Sequence, residues 1–481
     1  MMHWGTVTAL IAGFLALLVS AERLSQLSGD QATAPPLKEH LLTSDISPTE
    51  VLTDSHSSLA SFEEKLVSLG IAFAAASEDW SQILRPNKGL MSSGQQEELA
   101  RAKHSLGVVG VGAMRAPEAA VAEYALTQTP EQGDPRIVVS ISGDRQITLV
   151  RASATRTDKG VIWRGNVADT GETAILQWWK DGRLTGLIGY RGHIYTVMNM
   201  DGDLYAVLEI DPKMLPPDHP KVTSADVHRT DAPMWLQMPD FPPPTLKVEP
   251  ISADQLKALE AKNVVIDVMM LYTQRAASHF MRRPEDVLEL ALERVNDTFR
   301  NSGIRNVSVR LVHAQAVDYD ERDSEQFDDL YHMVDGHGPF RDVRRLRDEK
   351  RADIVGLLVD DPTGCGLSTR VLPDADDAYF VVHHSCAAIT VSIAHEIGHI
   401  LGARHDRLVD AADTPFPYGH GYVNATKWRD VMSYAESCDG CLRIPYWSNP
   451  RVFYKGEPTG TFTEDNARVI LEQAERVSKF R

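Results

Sequence analysis

The feature that most constrains this 481-residue chain is the segment HEIGHILGARHD at residues 395–406. On a helix, His395 and His399 lie one turn apart on the same face, so their imidazoles can meet a single metal ion. Zinc takes imidazole nitrogen at about 2.0–2.1 Å, and a catalytic zinc site keeps three protein ligands and one open position for water. The spacing therefore predicts a helix that presents two zinc ligands.

A third ligand requires that helix to end. A straight helix would carry His405 away from the metal, because it lies six residues after His399. Gly402 can take a positive φ and end the helix in a sharp turn, which brings His405 back toward the ion. Glu396 follows the first ligand and is predicted to act as the general base, taking a proton from metal-activated water and delivering it to the leaving amine. These residues predict one catalytic Zn²⁺.

The alternative to a metal site is a chance match. HExxH alone occurs by chance, and a histidine pair on an apolar helix often belongs to the core. Gly402, His405 and Asp406 add three positions at fixed spacing, each matched at random about one time in twenty or less. We therefore favour the metal site.

The pattern HExxHxxGxxHD resembles the zinc signature of the metzincin metalloproteases, and Asp406 after the third histidine is similar to the reprolysin-like branch. The resemblance implies that Met432, which lies 27 residues after His405 in the sequence VMSY, forms an apolar floor beneath the three imidazoles. Some metzincins place a tyrosine two residues after this methionine. Tyr434 is therefore a candidate for binding zinc or the oxyanion, and a tyrosine that only packs near the turn is the alternative.

Further segments extend the resemblance, over about residues 262–481, to the bacterial peptidyl-Asp metalloendopeptidase family. They are VVIDVMMLYT (264–273), ADIVG (352–356), GCG (364–366), SC (385–386), YGHGY (418–422), YWSNP (446–450) and DNAR (465–468). That family cuts on the amino side of aspartate, which implies a cationic group in the pocket for the acidic side chain. Lys427, Arg429 and Arg443 flank Met432 and are candidates, and the alternative for each is a solvated surface charge.

Four cysteines lie in the last quarter of the chain and predict two disulfides, for which three connectivities exist. We favour Cys365–Cys386 and Cys438–Cys441 because each closes a local loop. The second pair also matches a redox motif or half of a zinc knuckle. No second CxxC sequence or thioredoxin-like turn accompanies it, so a structural disulfide is the better interpretation.

The N terminus predicts export. An apolar run over about residues 7–19 is too short to span a membrane, and the small residues Val19, Ser20 and Ala21 follow it. We interpret residues 1–21 as a signal peptide, with an uncleaved signal anchor as the alternative. No later apolar run approaches about 20 residues, which predicts a secreted mature form, extracellular or periplasmic, without a membrane span. The net charge of −18 argues against nucleic acid or anionic membranes as main partners.

The first half of the chain is predicted to be a pro-segment. Residues 22–58 are rich in small polar and acidic residues and predict a flexible lead-in. Residues 59–231 predict a pro-domain, with helical patterns over 60–104 and then short strands and hairpins over 136–210. This segment contains no cysteine, so a cysteine–zinc latch is excluded. Inhibition would then need another ligand or steric cover of the cleft.

The second half is predicted to be the catalytic domain. Prolines at 233–244 predict a linker over 232–261. Residues 262–481 alternate strand and helix patterns and predict an α/β (α+β) metzincin-like domain with a mixed twisted sheet and an active-site helix. The run 379–384 is predicted to be the strand that lines the substrate cleft, with only one of its two histidines facing inward.

These observations predict a secreted zinc endopeptidase, made as a precursor, whose partners are protein or peptide substrates and its own pro-segment. The first alternative is a catalytically inactive metzincin-like binding module, against which the intact Glu396 argues. The second alternative makes the first half a permanent targeting or adhesion domain.

Overall fold

The computed structural model describes residues 82–116, 136–142, 145–220, 248–281 and 283–481. The predicted signal peptide, the lead-in and the proline-dense stretch lie outside the described residues. All described residues fall within one unit, Glu78–Arg481. In these ranges, no helix is both long enough and apolar enough to cross a bilayer.

Before residue 211, the described chain contains a closed β-barrel. The strands follow the order β1-β2-β9-β8-β7-β6-β5-β4-β3, and β3 closes the barrel by pairing in parallel with β1. The elements are β1 (Gln82–Pro86), α1 (Ser93–Lys103), β2 (Val108–Arg115), β3 (Arg136–Ser142), β4 (Arg145–Arg156), β5 (Gly160–Val167), β6 (Thr173–Trp179), β7 (Leu184–Tyr190), β8 (His193–Asp201) and β9 (Leu204–Ile210).

Antiparallel hairpins build most of this barrel, as the turn pairs in the sequence predict. Gly182 and Gly202 take positive φ in the turns that join β6 to β7 and β8 to β9. Trp163, Leu176 and Tyr205 belong to the buried apolar cluster of the barrel. The sequence patterns did not reveal β1, β5 or β7. They also did not reveal the closure of the barrel, because the pairing of β1 with β3 and of β2 with β9 joins segments that are distant along the chain.

The catalytic domain is built around a five-stranded mixed sheet. Its elements are α2 (Ala253–Glu260), β10 (Val264–Thr273), α3 (Gln274–Ala277), α4 (Pro284–Asn301), β11 (Val307–Val317), α5 (Gln326–Asp335), α6 (Val343–Lys350), β12 (Ile354–Val359), β13 (Gly366–Ser368), β14 (Tyr379–His383), α7 (Ser392–Leu401), β15 (Val423–Asn424), β16 (Trp428–Arg429), β17 (Leu442–Arg443), β18 (Phe453–Tyr454), β19 (Glu457–Pro458) and α8 (Asn466–Val477). Single 3₁₀ turns lie at Pro212–Met214, Gly338–Phe340, Ala375–Asp377 and Glu436–Cys438.

The sheet order is β11-β10-β12-β14-β13, and only the edge strand β13 runs antiparallel to its neighbour. Strand β14 therefore lies inside the sheet, and the prediction that the run 379–384 lines the cleft is wrong. The edge belongs to β13, whose three residues are too few to show a strand pattern. Only one of the two histidines of that run was predicted to face inward, but His383 and His384 are both buried.

Alternation along β10 distributes its side chains to two helical layers. Val268 and Met270 face the core that α4, α7 and α8 cover, whereas Met269 and Leu271 face the core that α5 and α6 cover. Helix α7, which carries His395 and His399, thus packs on one face of the sheet. The chain forms the mixed sheet that its sequence predicts, and the HEIGH segment lies on a helix as predicted.

Helix α2 lies within the segment that was predicted to be a linker. Ser252 and Gln255 form a reciprocal capping box at its start, and Leu256 and Leu259 pack against the catalytic core. The Ser-x-x-Gln spacing was the available signal, and the nearby prolines obscured it. The described part of the predicted linker is therefore ordered structure on the catalytic domain.

Helix α4 carries a row of acidic residues toward the barrel. Arg164 pairs with Glu293 and with Asp297, and Arg183 pairs with Asp286. The three acids recur at helical spacing and share one face. Ile162, Ile175 and Leu187 of the barrel join the apolar core of the catalytic domain beside this row. The barrel thus docks on α4 through charges around an apolar centre.

Candidate active site

Helix α7 ends where the glycine of the motif requires it to end. Gly402 has φ of 103°, and the amide of Ala403 donates to the Gly398 carbonyl at 2.8 Å. A residue with a β-carbon is strained at such a φ, so glycine suits this position. After the bend, the chain returns His405 to the face of the helix that bears His395 and His399.

Three imidazoles converge at this bend. The ring centroids of His395 and His399 are 4.8 Å apart, and those of His399 and His405 are 4.5 Å apart. The Nε2 atoms of His395 and His405 lie 3.2 Å from each other. All three side chains are buried. The structure therefore brings together the three histidines that the sequence predicts as ligands.

Backbone carbonyls orient two of these rings. Nδ1 of His395 donates to the Val431 carbonyl at 2.8 Å, and Nδ1 of His399 donates to the Ala403 carbonyl at 3.0 Å. A carbonyl only accepts, so each Nδ1 carries the proton and each Nε2 turns a lone pair toward the centre. Nε2 of His399 is buried without a hydrogen-bond partner. Lone pairs that face one another in a dry site call for a cation between them.

The spacing of the donor atoms fits zinc. Four nitrogens at about 2.0–2.1 Å from a tetrahedral ion lie about 3.3–3.4 Å from one another. Burial and the neighbouring imidazoles hold the pKa of His395 and of His405 well below the ordinary value, and burial lowers the pKa of His399 to about 3. The rings are therefore neutral at physiological pH, which is the form that binds metal.

Glu396 lies beside the imidazole cluster and is fully buried. Burial raises its pKa well above the ordinary value, and the Ser368 hydroxyl and Arg443 partly oppose this effect. Gly366 of the edge strand makes room for the carboxylate, because a Cβ at that position would lie 2.6 Å from Glu396 Oε1. The carboxylate thus sits between the three histidines and the sheet edge.

Met432 packs under helix α7, as the resemblance implies. It is fully buried, and a Cβ on Gly398 would lie 2.7 Å from its sulfur. Asp406 connects this turn to the third histidine, since its carboxylate accepts from the Tyr434 amide at 3.0 Å and from the Ser437 hydroxyl at 2.8 Å. The residue after the third histidine therefore fixes the turn relative to the bend.

Asp430 is a residue of the site that the sequence analysis missed. Its carboxylate accepts from the Met432 amide at 3.1 Å, the Ser433 hydroxyl at 2.6 Å and the Ser448 amide at 2.9 Å. Burial raises the pKa of Asp430 to about 7. Its position two residues before the methionine was the available signal. It holds the turn whose Val431 carbonyl orients His395.

Two disulfides brace the loops around the site. The structure contains both favoured pairs, Cys365–Cys386 and Cys438–Cys441. The first pair links the residue before β13 to the loop that leads into α7. The second closes the 3₁₀ turn after Tyr434.

Two of the three residues predicted for the cationic pocket lie together around one carboxylate. Arg429 Nη1 and Arg443 Nη2 each lie 3.0 Å from the carboxylate of Asp218, which belongs to the segment after the barrel. Both arginines are largely buried. Lys427 instead pairs with Glu457 on the surface, and its side chain is 58% exposed. Lys427 follows the hairpin turn that precedes β16, so it does not join the pair around the carboxylate.

A fourth histidine, His219, enters the same cluster. Its Nε2 lies 2.9 Å from Nε2 of His395 and 3.9 Å from Oε1 of Glu396. Its ring stacks on Tyr434, with centroids 5.3 Å apart and planes 23° apart. Burial lowers the pKa of His219 to about 4. Asp218 and His219 were not among the predicted site residues. The available indication was an acid and a histidine that lie between Pro216, Pro217 and Pro220.

A second histidine group lies elsewhere and is satisfied without a metal. Asp360 accepts from Arg275 at 2.9 Å and contacts His384 Nε2 at 3.1 Å. His279 stacks on His384 and its Nδ1 meets the Ser105 hydroxyl of the barrel at 3.0 Å. The arginine already compensates the carboxylate, so these residues form a polar network between the barrel and the catalytic domain.

The metallopeptidases are the class of protein that this site defines. They combine a helix that ends at a glycine bend, neutral imidazoles that face one point and a buried acid beside them. Comparison with known families agrees, since the family described as metallo-peptidase family M12 (Reprolysin_5) matches residues 262–448. Residues 262–448 are therefore similar to this metallopeptidase family.

Two relatives match most of the chain. The peptidyl-Asp metalloendopeptidase of Xanthomonas campestris pv. campestris is 28% identical over 354 residues, which are 70% of this chain and 79% of the relative. The peptidyl-Asp metalloendopeptidase of Stenotrophomonas maltophilia strain R551-3 is 26% identical over 389 residues, which are 76% and 88% of the two chains. Both alignments extend well beyond the M12 segment.

Among solved structures, metalloproteinase-II from Bacteroides fragilis is similar at a TM-score of 0.34 and 13% identity. It covers 65% of this chain and 86% of that chain. At this TM-score, the likeness supports no conclusion about the fold.

Replacing Asp430 with asparagine tests the support of the methionine turn. An amide group in place of one carboxylate oxygen would face an N–H or O–H donor, so at least one hydrogen bond is lost at a cost of about 1–3 kcal/mol. We expect a lower midpoint of thermal unfolding and a zinc affinity reduced about 10–100-fold, because residues that orient metal ligands have effects of this size. Zinc is titrated against a chelating dye. Asp439→Asn, exposed in the same loop, should change neither quantity, and an Asp430→Asn variant that behaves like it would contradict this role.

Proposed function

We propose that this chain is a secreted zinc endopeptidase, made as a precursor, that cuts on the amino side of aspartate. The observation that carries the proposal is the convergence of three buried imidazoles on one point, beside the buried carboxylate of Glu396. Residues His395, His399 and His405 would hold the ion. Zinc bound there would supply a Lewis acid that polarises a peptide carbonyl and lowers the pKa of water to about 7.

Glu396 would perform the proton transfers. Its raised pKa allows the carboxylate to take a proton from the attacking water and then to hold it until the amine departs. Its burial keeps bulk water from competing for that proton. Tyr434, whose ring centroid lies 4.4 Å from that of His405, would donate its hydroxyl to the developing oxyanion.

Arg429 and Arg443 would select the acidic side chain. Burial, followed by the neighbouring Arg443, lowers the pKa of Arg429 to about 10, so it stays protonated at neutral pH. Two buried guanidinium groups side by side are costly unless an anion compensates them. In the structure, that anion is the carboxylate of Asp218, which shows that an aspartate side chain fits between them. The names of the two relatives are consistent with this preference.

Export is supported by the cysteines as well as by the N-terminal pattern. All four are paired in disulfides. Disulfides persist in oxidising compartments and are rare in the cytosol. An extracellular or periplasmic location therefore suits this chain.

Glu396→Gln separates catalysis from metal binding. The amide cannot accept the proton of the attacking water, so we expect kcat on casein or a fluorogenic peptide to fall about 10²–10⁴-fold. Zinc content should remain one ion per chain, because Glu396 is not a ligand. Equal activity of the variant and the parent, with zinc bound to both, would rule out the base assignment. A parent that has lost its first half by processing, binds zinc and still cleaves nothing would favour the inactive binding module.

Substitution of the arginines tests the acidic pocket. Each charge-assisted hydrogen bond contributes about 1.5–3 kcal/mol, so Arg443→Gln or Arg429→Gln should lower the ratio of kcat/KM for paired Asp and Ala peptides about 10–150-fold. Arg→Lys at each position should retain part of the preference. Lys427→Gln is the matched control and should leave the ratio unchanged. If neither arginine variant alters the ratio while each remains folded, another group selects the substrate.

The precursor assignment predicts where the mature enzyme begins. The first N-terminal residue of the active secreted form should lie after residue 220, since β9 and the residues up to Pro220 belong to the part that would be removed, and before β10 begins at Val264. Edman sequencing or mass spectrometry of the purified active protein measures this position. An active form that begins near Glu22 and keeps the barrel would instead favour the permanent targeting or adhesion domain.

A further inference from the structure

Residues 216–220, with the sequence Pro-Pro-Asp-His-Pro, form a short segment that we name the latch segment. It follows β9 and the 3₁₀ turn Pro212–Met214, so the barrel anchors its N-terminal end. Its three prolines fix φ at their own positions and bias the residues before them toward extended backbone. The chain bends at Asp218 and His219, the two residues whose side chains contact the catalytic domain.

The latch segment lies against the sheet edge. The Cys365 amide, one residue before β13, donates to the Pro217 carbonyl at 2.7 Å. A Cβ on Gly364 would lie 2.3 Å from the Pro220 nitrogen, so the two chains approach as closely as glycine allows. An extended peptide substrate would need this same edge, since unpaired backbone groups beside a sheet edge bind peptides by added strand hydrogen bonds.

The side chain of Asp218 fills the cationic pocket. It meets both arginines at 3.0 Å and accepts from the Ala435 amide at 3.0 Å, and only 11% of it is exposed. Two guanidinium groups and a backbone amide therefore surround this carboxylate. Asp218 thus occupies the place proposed for the substrate's carboxylate.

The side chain of His219 fills the open corner of the metal site. The donor nitrogens of His219, His395, His399 and His405 all lie within 4.8 Å of one another. Nε2 of His219 is 3.9 Å from Glu396 Oε1, which is the side of the cluster where the attacking water must lie. Its ring is held against Tyr434, the residue placed to stabilise the oxyanion.

We propose that the latch segment keeps the precursor inactive by placing His219 as the fourth ligand of the metal and Asp218 as a copy of the acidic substrate side chain. This inference rests on the zinc endopeptidase function proposed above. A tetrahedral site with four protein ligands is closed, whereas catalysis needs one position for water. The segment excludes water, the substrate backbone and the substrate side chain at the same time.

Covalent continuity with the catalytic domain makes this inhibition strong. While the chain is intact, the segment acts at the effective concentration of a tethered ligand, which is in the millimolar range for short flexible connections. A cut anywhere between residue 220 and the start of α2 leaves the segment held by non-covalent contacts alone. The removal of one peptide bond therefore weakens the latch without any change in its contacts.

Cobalt(II) replacing zinc in the full-length chain tests the assignment by absorption spectroscopy. A Glu396→Gln background prevents self-cleavage, and azide serves as a small probe of an open coordination position. We expect the intact latch to give a spectrum that azide does not change, and His219→Ala to give a saturable azide-dependent change. Asp218→Asn should respond in between, because it weakens the pocket contact and lets the latch open at least about tenfold more often.

His193→Ala removes a barrel histidine that pairs with Glu209 and should behave like the parent. His219→Gln, whose amide occupies similar space, replaces His219→Ala if the latter does not fold. One cobalt per chain with equal azide affinity in the parent and in the His219 variant would overturn the latch and leave the proposed function standing. Failure of every chain, parent included, to bind cobalt or zinc would instead overturn the proposed function.

Discussion

The active site depends on two hydrogen bonds from imidazole nitrogen to backbone carbonyl. His395 donates to Val431 and His399 donates to Ala403, and these bonds turn the opposite lone pairs toward one point. Each carbonyl has its own support. Gly402 bends the chain so that Ala403 lies next to the helix end, and Asp430 ties the turn that contains Val431. A ligand ring that lost its carbonyl could rotate, and the metal site would lose its shape.

The surrounding architecture brings distant segments to these two carbonyls. The sheet supports α7 from below, and its edge strand leaves space at Gly366 for the carboxylate of Glu396. Helix α4 packs against the same core, and its acidic residues form ion pairs with arginines of the barrel. The barrel in turn sets the starting point of the chain that leads to Asp218 and His219. The site thus combines a local helix motif with contacts that cross both halves of the chain.

Local spacing was sufficient to predict the helix that carries His395 and His399, its glycine bend and the convergence of the three histidines. These features depend on helix periodicity and on one backbone preference, which a short segment encodes. His219 pairs with His395 across 176 residues, and nothing in the spacing of either segment specifies that meeting. The closure of the barrel was missed for the same reason, since it is set by strand pairing between remote segments. The edge strand β13 was missed because its three residues are too few to show a strand pattern. Two of the three cationic candidates lie in the pocket, and the third points into solvent, because proximity along the chain to Met432 does not determine direction.

Arg429 and Arg443 close around a carboxylate from the chain's own first half. If the same two guanidinium groups later receive the substrate, then dormancy and selectivity are not independent properties. A substitution that broadened the range of residues cleaved would also weaken the inhibition of the precursor inside the producing cell, where premature proteolysis is harmful. Selection would then act on these two arginines for both properties at once. A change in the substrate preference of this enzyme would require a matching change in the latch segment.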